Sequence, residues 1–264
     1  MKGRKTLCLL LAALCLVQAA SALEVTVDGE PLAGEAFLSQ GTTYVQMTAL
    51  LEALGGWETW WDAPSRSAVA DTDRFRLTVP ADSRQVLADG YAYDLPAAVL
   101  LRSGRTYVPL RTVSNLLGAE VTWRGADLPV AVRRNAGRAY TQEDLDWLSR
   151  IISAESRGES LTGQVAVGNV VLNRAASEKF PDTIREVIFD KKDAVQFEPV
   201  ANGTVYDEPA ASSVLAARLA LEGAEAVPGD CLYFFAPALS QGTWIRQNCV
   251  YYTTIGCHQF YREP

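Results

Sequence analysis

Residues 145–174 read LDWLSRIISAESRGESLTGQVAVGNVVLNR, and this stretch decides the fold of the second half of the chain. Thr141, followed three residues later by Asp144, is a capping-box start in which each residue satisfies an orphan amide of the other. Leu145, Leu148 and Ile152 recur at spacings of three and four, so they share one face of an amphipathic helix. Glu155 is the next residue on that stripe. A carboxylate in that position points toward core or cleft, where desolvation disfavours its charged form and raises its pKa. This is the condition under which a carboxylic acid stays protonated near neutral pH and serves as a general acid. The competing reading is a structural glutamate paired with Arg150 or Arg157. Arg157-Gly158 should end the helix, glycine supplying a left-handed cap. The segment 163–176 is apolar almost all round and is expected to be buried, with Ala166 and Gly168 leaving room for another helix.

Downstream, the pattern predicts helices at 142–157, 162–177, 182–189 and 209–224. From Cys231 it turns to alternating aromatic strands, CLYFFAP, NCVYYTT and GCHQFY. Upstream, residues 24–134 contain an internal repeat. Gly41, Tyr44 and Val45 match Gly104, Tyr107 and Val108; Leu54-Gly55 matches Leu117-Gly118; Trp60 matches Trp123; Ala68-Val69 matches Ala131-Val132. Every pair is offset by 63 residues, so each copy is one strand–helix–strand unit. Asp28-Gly29 and Asp89-Gly90 are hairpin signals. Trp60 and Trp123, being repeat-equivalent, are expected in the core; exposed tryptophans at 57, 60 or 61 would instead suit stacking on glycan. The fold class is therefore α+β: a β-rich two-repeat module, then a mainly helical domain with a small antiparallel sheet. Residues 133–138 (RRNAGR) read as the linker.

The ordered motifs AESRGES…GQVAVGNVVLNR, FP at 180–181, VIF at 187–189, QFEPVANG at 196–203, LYFFAP at 232–237 and IGCHQFY at 255–261 resemble the SleB-type cell-wall hydrolase family, best known from spore-cortex-lytic enzymes. The resemblance covers residues 140–264 and implies a lysozyme-like fold and cleavage of peptidoglycan glycan strands by lytic transglycosylation. The family's catalytic glutamate is the first in its A-E-x-x-G-E motif, which falls on Glu155. The second repeat, RTYVPLRTVSNLLGAEVTW, resembles a copper amine oxidase N-terminal-like stalk module, assigned to 23–135; the first copy departs from it, with Gln46 in place of proline. No copper is implied, because residues 23–135 hold no histidine and no cysteine.

Composition narrows the partners. Residues 1–22 read as a secretory signal: Lys2, Arg4 and Lys5, an apolar run over 7–17, and Ala20-Ser21-Ala22 as the cleavage site. The chain carries a net charge of −7, and removing those three cations takes it to about −10. No basic patch with interleaved aromatics appears, which speaks against nucleic acid. After signal cleavage no segment is suited to a membrane. The expected location is secreted, at the wall or spore envelope, with peptidoglycan glycan strands as partner and an unnamed wall or protein partner for the stalk. Export permits one disulfide among Cys231, Cys249 and Cys257. No metal or other cofactor is expected: the single histidine, His258, argues against a zinc enzyme, and Cys257 beside it on a strand faces the other way.

Seven further residues are candidates for substrate contact. Glu159 is either a second active-site carboxylate or a charge favoured at a helix N-terminus. Asn173 on the buried helix either anchors a loop or touches sugar. Gln196 and Phe197 open a loop suited to a cleft wall. Tyr233 lies on an alternating strand, Trp244 in a loop as a stacking surface, and His258 beside the cleft. Two rival functions fit the same residues: a hydrolytic muramidase, which needs water and a second carboxylate, and a non-catalytic wall-binding protein on the same fold.

Overall fold

The computed structural model describes residues 23–125, 128–135, 140–192 and 196–264. The signal reading at 1–22 and half of the linker reading, 136–138, lie outside the described residues, while Arg133 and Arg134 of that reading fall in a strand. In the first module, β1 (Val25–Val27), β2 (Glu30–Pro31), β3 (Ala36–Ser39) and β4 (Thr42–Gln46) lead into helix α1 (Met47–Leu54). There follow β5 (Glu58–Asp62), β6 (Ser67–Asp71), β7 (Arg76–Pro80), β8 (Gln85–Ala88) and β9 (Tyr91–Asp94), an antiparallel meander in that order. The second copy adds β10 (Leu100–Arg102), β11 (Arg105–Pro109), α2 (Leu110–Leu116), β12 (Ala119–Thr122) and β13 (Val130–Arg134). Two sheets join the copies, the mixed β12-β13-β1-β2, in which β1 and β13 run parallel, and the wholly antiparallel β10-β11-β4-β3.

The repeat is a structural one. Val45 on β4 lies opposite Val108 on β11, its own equivalent, while Gln46 faces Tyr107 and Tyr44 faces Pro109. The two strand–helix units are thus related by a local two-fold through this antiparallel pair. Asp28-Gly29 and Asp89-Gly90 both take positive φ at successive residues, as do Gln40-Gly41 and Ser103-Gly104. That is the backbone of a tight hairpin whose twist matches its strands. One expectation fails here: Trp60 and Trp123 are 44% and 61% exposed, each at an edge strand, and Trp61 is exposed too. Small residues fill the core instead, Val69, Ala70, Val121 and Val132 among them.

In the second module, helices α3 (Gln142–Ser156), α4 (Leu161–Ala175), α5 (Ile184–Phe189), α6 (Glu198–Asn202) and α7 (Ala211–Leu221) precede β14 (Cys231–Phe235), α8 (Thr243–Asn248), β15 (Val250–Ile255) and β16 (His258–Arg262). The last three strands form one antiparallel sheet ordered β14-β16-β15. Thr141 and Asp144 form the capping box that starts α3, the Asp144 amide donating to Thr141 Oγ1 at 3.1 Å and the Thr141 amide to Asp144 Oδ2 at 2.9 Å. The stripe behaves as its spacing requires, with Leu148 and Ile152 fully buried. Helix α4 is buried on nearly every side. The break between them differs in mechanism: Gly158 is not in the left-handed region, and Ser160 caps the restart through a hydrogen bond from the Gly163 amide. The stretch read as a loop from Gln196 contains the short helix α6, and Trp244 stands on α8 rather than in a loop. Cys231, Cys249 and Cys257 are all free thiols, so the one disulfide that export permits is not formed.

The modules share one hydrophobic core. The amide of Asp94 on β9 donates to Thr162 Oγ1 on α4 at 2.7 Å, and Arg218 on α7 pairs with Asp89 at 3.2 Å. Asn135 Nδ2 donates to the Glu222 carbonyl at 2.7 Å, close against Gly223.

Helix α4 approaches its neighbours at Gly168, where an added Cβ would lie 2.9 Å from Ile152 Cδ1 and 3.4 Å from Ala220 Cβ. Gly168→Leu should therefore overpack the α3–α4–α7 junction and lower stability by about 1–3 kcal/mol in urea unfolding. An unchanged midpoint would show that the junction has slack.

Candidate active site

Glu155 leaves the dry face of α3 in its last turn, next along the stripe from Ile152. Burial is the largest influence on its carboxyl group, followed by repulsion from Glu198; attraction to Arg174 opposes both. The net result pushes its pKa up to about 7. Neither arginine proposed as a surface partner serves it. Arg150 is engaged with Asp146 at 2.9 Å and with the carbonyls of Tyr206 and Asp207, and Arg157 is exposed.

Arg174, on the last turn of α4, is the buried cation of the site. Its Nε donates to the Leu232 carbonyl at 2.8 Å and its Nη1 to Gln196 Oε1 at 3.3 Å. The guanidinium lies 4.9 Å from the Phe180 ring centroid, 5.2 Å from that of Phe197 and 5.6 Å from that of Tyr233. Burial lowers its pKa to about 10, which leaves it charged. One cation thus ties α4, β14 and the loop before α6 into one wall, by hydrogen bonds and ring contacts that lysine cannot reproduce.

This wall brings together several of the expected residues. Phe197 is buried and caps α6 from its N-terminal side; Gln196 accepts from Arg174; Tyr233 is half-buried, 5.6 Å from the ring of Trp244, which is exposed. Glu198 follows Phe197 at the first position of α6 and is exposed.

Three expected residues bond within the fold. Asn173 takes the anchoring role: its Nδ2 donates to the Pro228 carbonyl at 2.8 Å and the Cys231 carbonyl at 3.0 Å, at the start of β14. Glu159 is turned toward the β15–β16 hairpin, where its Oε2 accepts from the Cys257 amide at 3.2 Å. Gly256 makes room for it; a Cβ there would lie 1.6 Å from Glu159 Oε2, and the backbone has φ +56°. His258 is buried beside this carboxylate, Nδ1 to Oε1 being 4.0 Å, with its ring against Phe234. Burial lowers the pKa of His258 and the nearby Glu159 opposes that.

Arg174 and Glu198 are the functional candidates that the sequence did not single out. Arg174 reads as the polar end of an apolar helix, and Glu198 before Pro199 reads as a favourable charge in a first turn. Only the fold brings them to Glu155, which is 19 and 43 residues away in sequence.

The model described as Cell Wall Hydrolase matches residues 158–261, and the one described as Copper amine oxidase N-terminal domain matches 26–132. A spore cortex-lytic enzyme of Bacillus cereus is 30% identical over 202 residues, spanning 75% of this chain and 71% of that protein. The chain belongs to the SleB-type cell wall hydrolase family. A spore cortex-lytic enzyme of Oceanobacillus iheyensis is 37% identical over 111 residues, 42% of this chain and 39% of that one. The solved catalytic domain of Bacillus anthracis SleB is 34% identical, spans 47% of this chain and 98% of that one, and has a TM-score of 0.43. The cell wall hydrolase match begins at Gly158, so Glu155 lies just before it, while the longer Bacillus cereus relative extends the likeness over three quarters of the chain.

The raised pKa of Glu155 has a thermodynamic consequence. The folded state holds this proton more tightly than the unfolded chain, whose carboxyl titrates near 4.5. Its contribution is full below about 4.5 and is lost as pH rises through about 7. Glu155→Gln removes the titration, so the variant should gain on the parent between pH 5 and 8, by on the order of 2 kcal/mol. Parallel stability–pH curves for the two proteins would contradict this.

Proposed function

We propose that this cell wall hydrolase cleaves the bond between N-acetylmuramic acid and N-acetylglucosamine by lytic transglycosylation, with Glu155 as both acid and base. The observation that carries the reading is the desolvated Glu155 carboxyl group, held near a pKa of about 7 beside one buried cation. A group with that affinity exists in both forms near neutral pH, which suits it to give and regain a proton. It first protonates the glycosidic oxygen as the bond breaks. Its carboxylate then takes the proton from the 6-hydroxyl of the same muramic residue, which attacks its own anomeric carbon. Intramolecular attack gains from proximity, so no activated water is required. Arg174 steadies the carboxylate between the two steps without hydrogen-bonding it away from the substrate. Gln196, Tyr233 and Trp244 form the wall on which the sugars and their acetamido groups rest.

The orientation of Glu159 supports a single-carboxylate reading, since that side chain is occupied with the Cys257 amide. We also propose export of the chain through residues 1–22, and action on the spore cortex, the substrate named for the Bacillus cereus and Oceanobacillus iheyensis relatives. Among the described residues no helix is long and apolar enough to cross a membrane.

Mass analysis of products from purified peptidoglycan should find 1,6-anhydro ends, each lighter by one water than a hydrolytic end. Glu155→Gln should lower turnover by on the order of 10³-fold or more, and parent activity should fall as pH rises above about 7. Reducing ends that carry label from heavy-oxygen water would establish hydrolysis instead. Glu198, the carboxylate that repels Glu155, would then become the candidate base.

A further inference from the structure

The internal repeat carries more than the architecture of the first module. Both of its matched tryptophans, at the positions where the pattern expects core, are exposed, Trp60 at 44% and Trp123 at 61%. Each lines a groove, and the two grooves are built from equivalent parts. The first, of about 340 Å³, is lined by Gln46, Thr48 and Trp60 of the first copy and by Arg105 and Thr106 from the hairpin of the second. The second, of about 940 Å³, is lined by Pro109, Arg111 and Trp123 of the second copy and by Thr42 and Thr43 from the hairpin of the first. Adding 63 to the first set gives Pro109, Arg111 and Trp123; subtracting 63 from Arg105 and Thr106 gives Thr42 and Thr43. The pairing of Val45 with Val108 produces this exchange, because it sets each copy's hairpin beside the other copy's tryptophan strand.

We propose that these are two equivalent saccharide-binding grooves through which the first module holds the glycan strands of the wall. An exposed indole face flanked by hydroxyl and amide groups matches a pyranose ring, apolar on its C–H face and polar at its rim. The charge agrees. In a chain of net charge −7, each groove carries an arginine, Arg105 in one and Arg111 in the other. The first groove has no carboxylate in its lining, and the one in the second, Glu35, accepts a hydrogen bond from the Tyr107 hydroxyl at 2.7 Å. The ligand is therefore a saccharide that bears carboxylates, as muramic acid and its peptide do. Each tryptophan keeps stacking surface free: the guanidinium of Arg76 lies 5.8 Å from the Trp60 ring centroid, yet that residue remains 44% exposed. Two grooves on one rigid module bind a polymer with avidity, retaining the enzyme on an acidic wall that repels it at long range. The choice of peptidoglycan as the polymer rests on the proposed function; the grooves do not.

The test uses the full chain carrying Glu155→Gln, so that the polymer survives, mixed with purified sacculi freed of other wall polymers. Trp60→Ala or Trp123→Ala should each weaken co-sedimentation by roughly tenfold, the loss of one stacked ring. The double variant should lose about the product of the two effects, roughly a hundredfold, because both grooves hold one polymer. Trp→Phe at both positions should restore most of the binding, which separates stacking from folding. In the otherwise intact enzyme, turnover of short soluble fragments should not change. Sacculus binding unaffected in a folded double variant would overturn the inference, even if the enzyme proved fully active. Concentration-dependent self-association abolished by the double variant, with sacculus binding intact, would overturn it in favour of a contact between copies. Tryptophan-dependent binding would uphold it even if no anhydro product were ever found.

Discussion

The second module depends on the burial of one helical stripe. Helix α3 lays Leu148 and Ile152 against α4 and α7, and Gly168 lets α4 come close enough to exclude water from that seam. Whatever continues the stripe is desolvated with it, and the residue that does so is Glu155. Its proton affinity is therefore a consequence of packing. An apolar side chain at the same position would be buried at a gain; a carboxyl group is buried at a cost that it avoids by keeping its proton.

That cost is moderated from outside the helix. Arg174 comes from the end of α4 and Glu198 from the start of α6, and they act on Glu155 with opposite signs. Arg174 is itself too buried to be left without partners, so it takes a carbonyl, an amide oxygen and three aromatic rings around it. In doing so it fixes the wall on which a substrate would rest. The same side chain thus both opposes the rise in the Glu155 pKa and orders the wall beside it, so neither is easily changed alone.

Much of this was legible in the sequence for a local reason. A capping box, a stripe at spacings of three and four, and an offset of 63 residues are written in neighbouring letters, and the structure contains all three. What was not legible depends on contacts between distant segments. Asn173 and Glu159 carry polar groups suited equally to a sugar or to a backbone amide, and the fold gave both to the backbone. Arg174 and Glu198 acquire meaning only beside Glu155. The tryptophans went the other way. Size and hydrophobicity argue for core, but Trp60 lies on the edge strand β5 and Trp123 just past the end of the edge strand β12, while Val69 and Ala70 of β6 and Val121 of β12 take the buried positions beside them.

Burial, with the repulsion of Glu198 added to it and the attraction of Arg174 set against it, holds the Glu155 proton into the neutral range. Site-resolved titration measures this directly, by following carboxyl carbons in glutamate-labelled protein and assigning Glu155 by its disappearance in Glu155→Gln. The account predicts a midpoint near 7, far above the ordinary 4.5. A midpoint close to 4.5 would contradict it, for the residue would then be ionised at every pH at which a wall enzyme works.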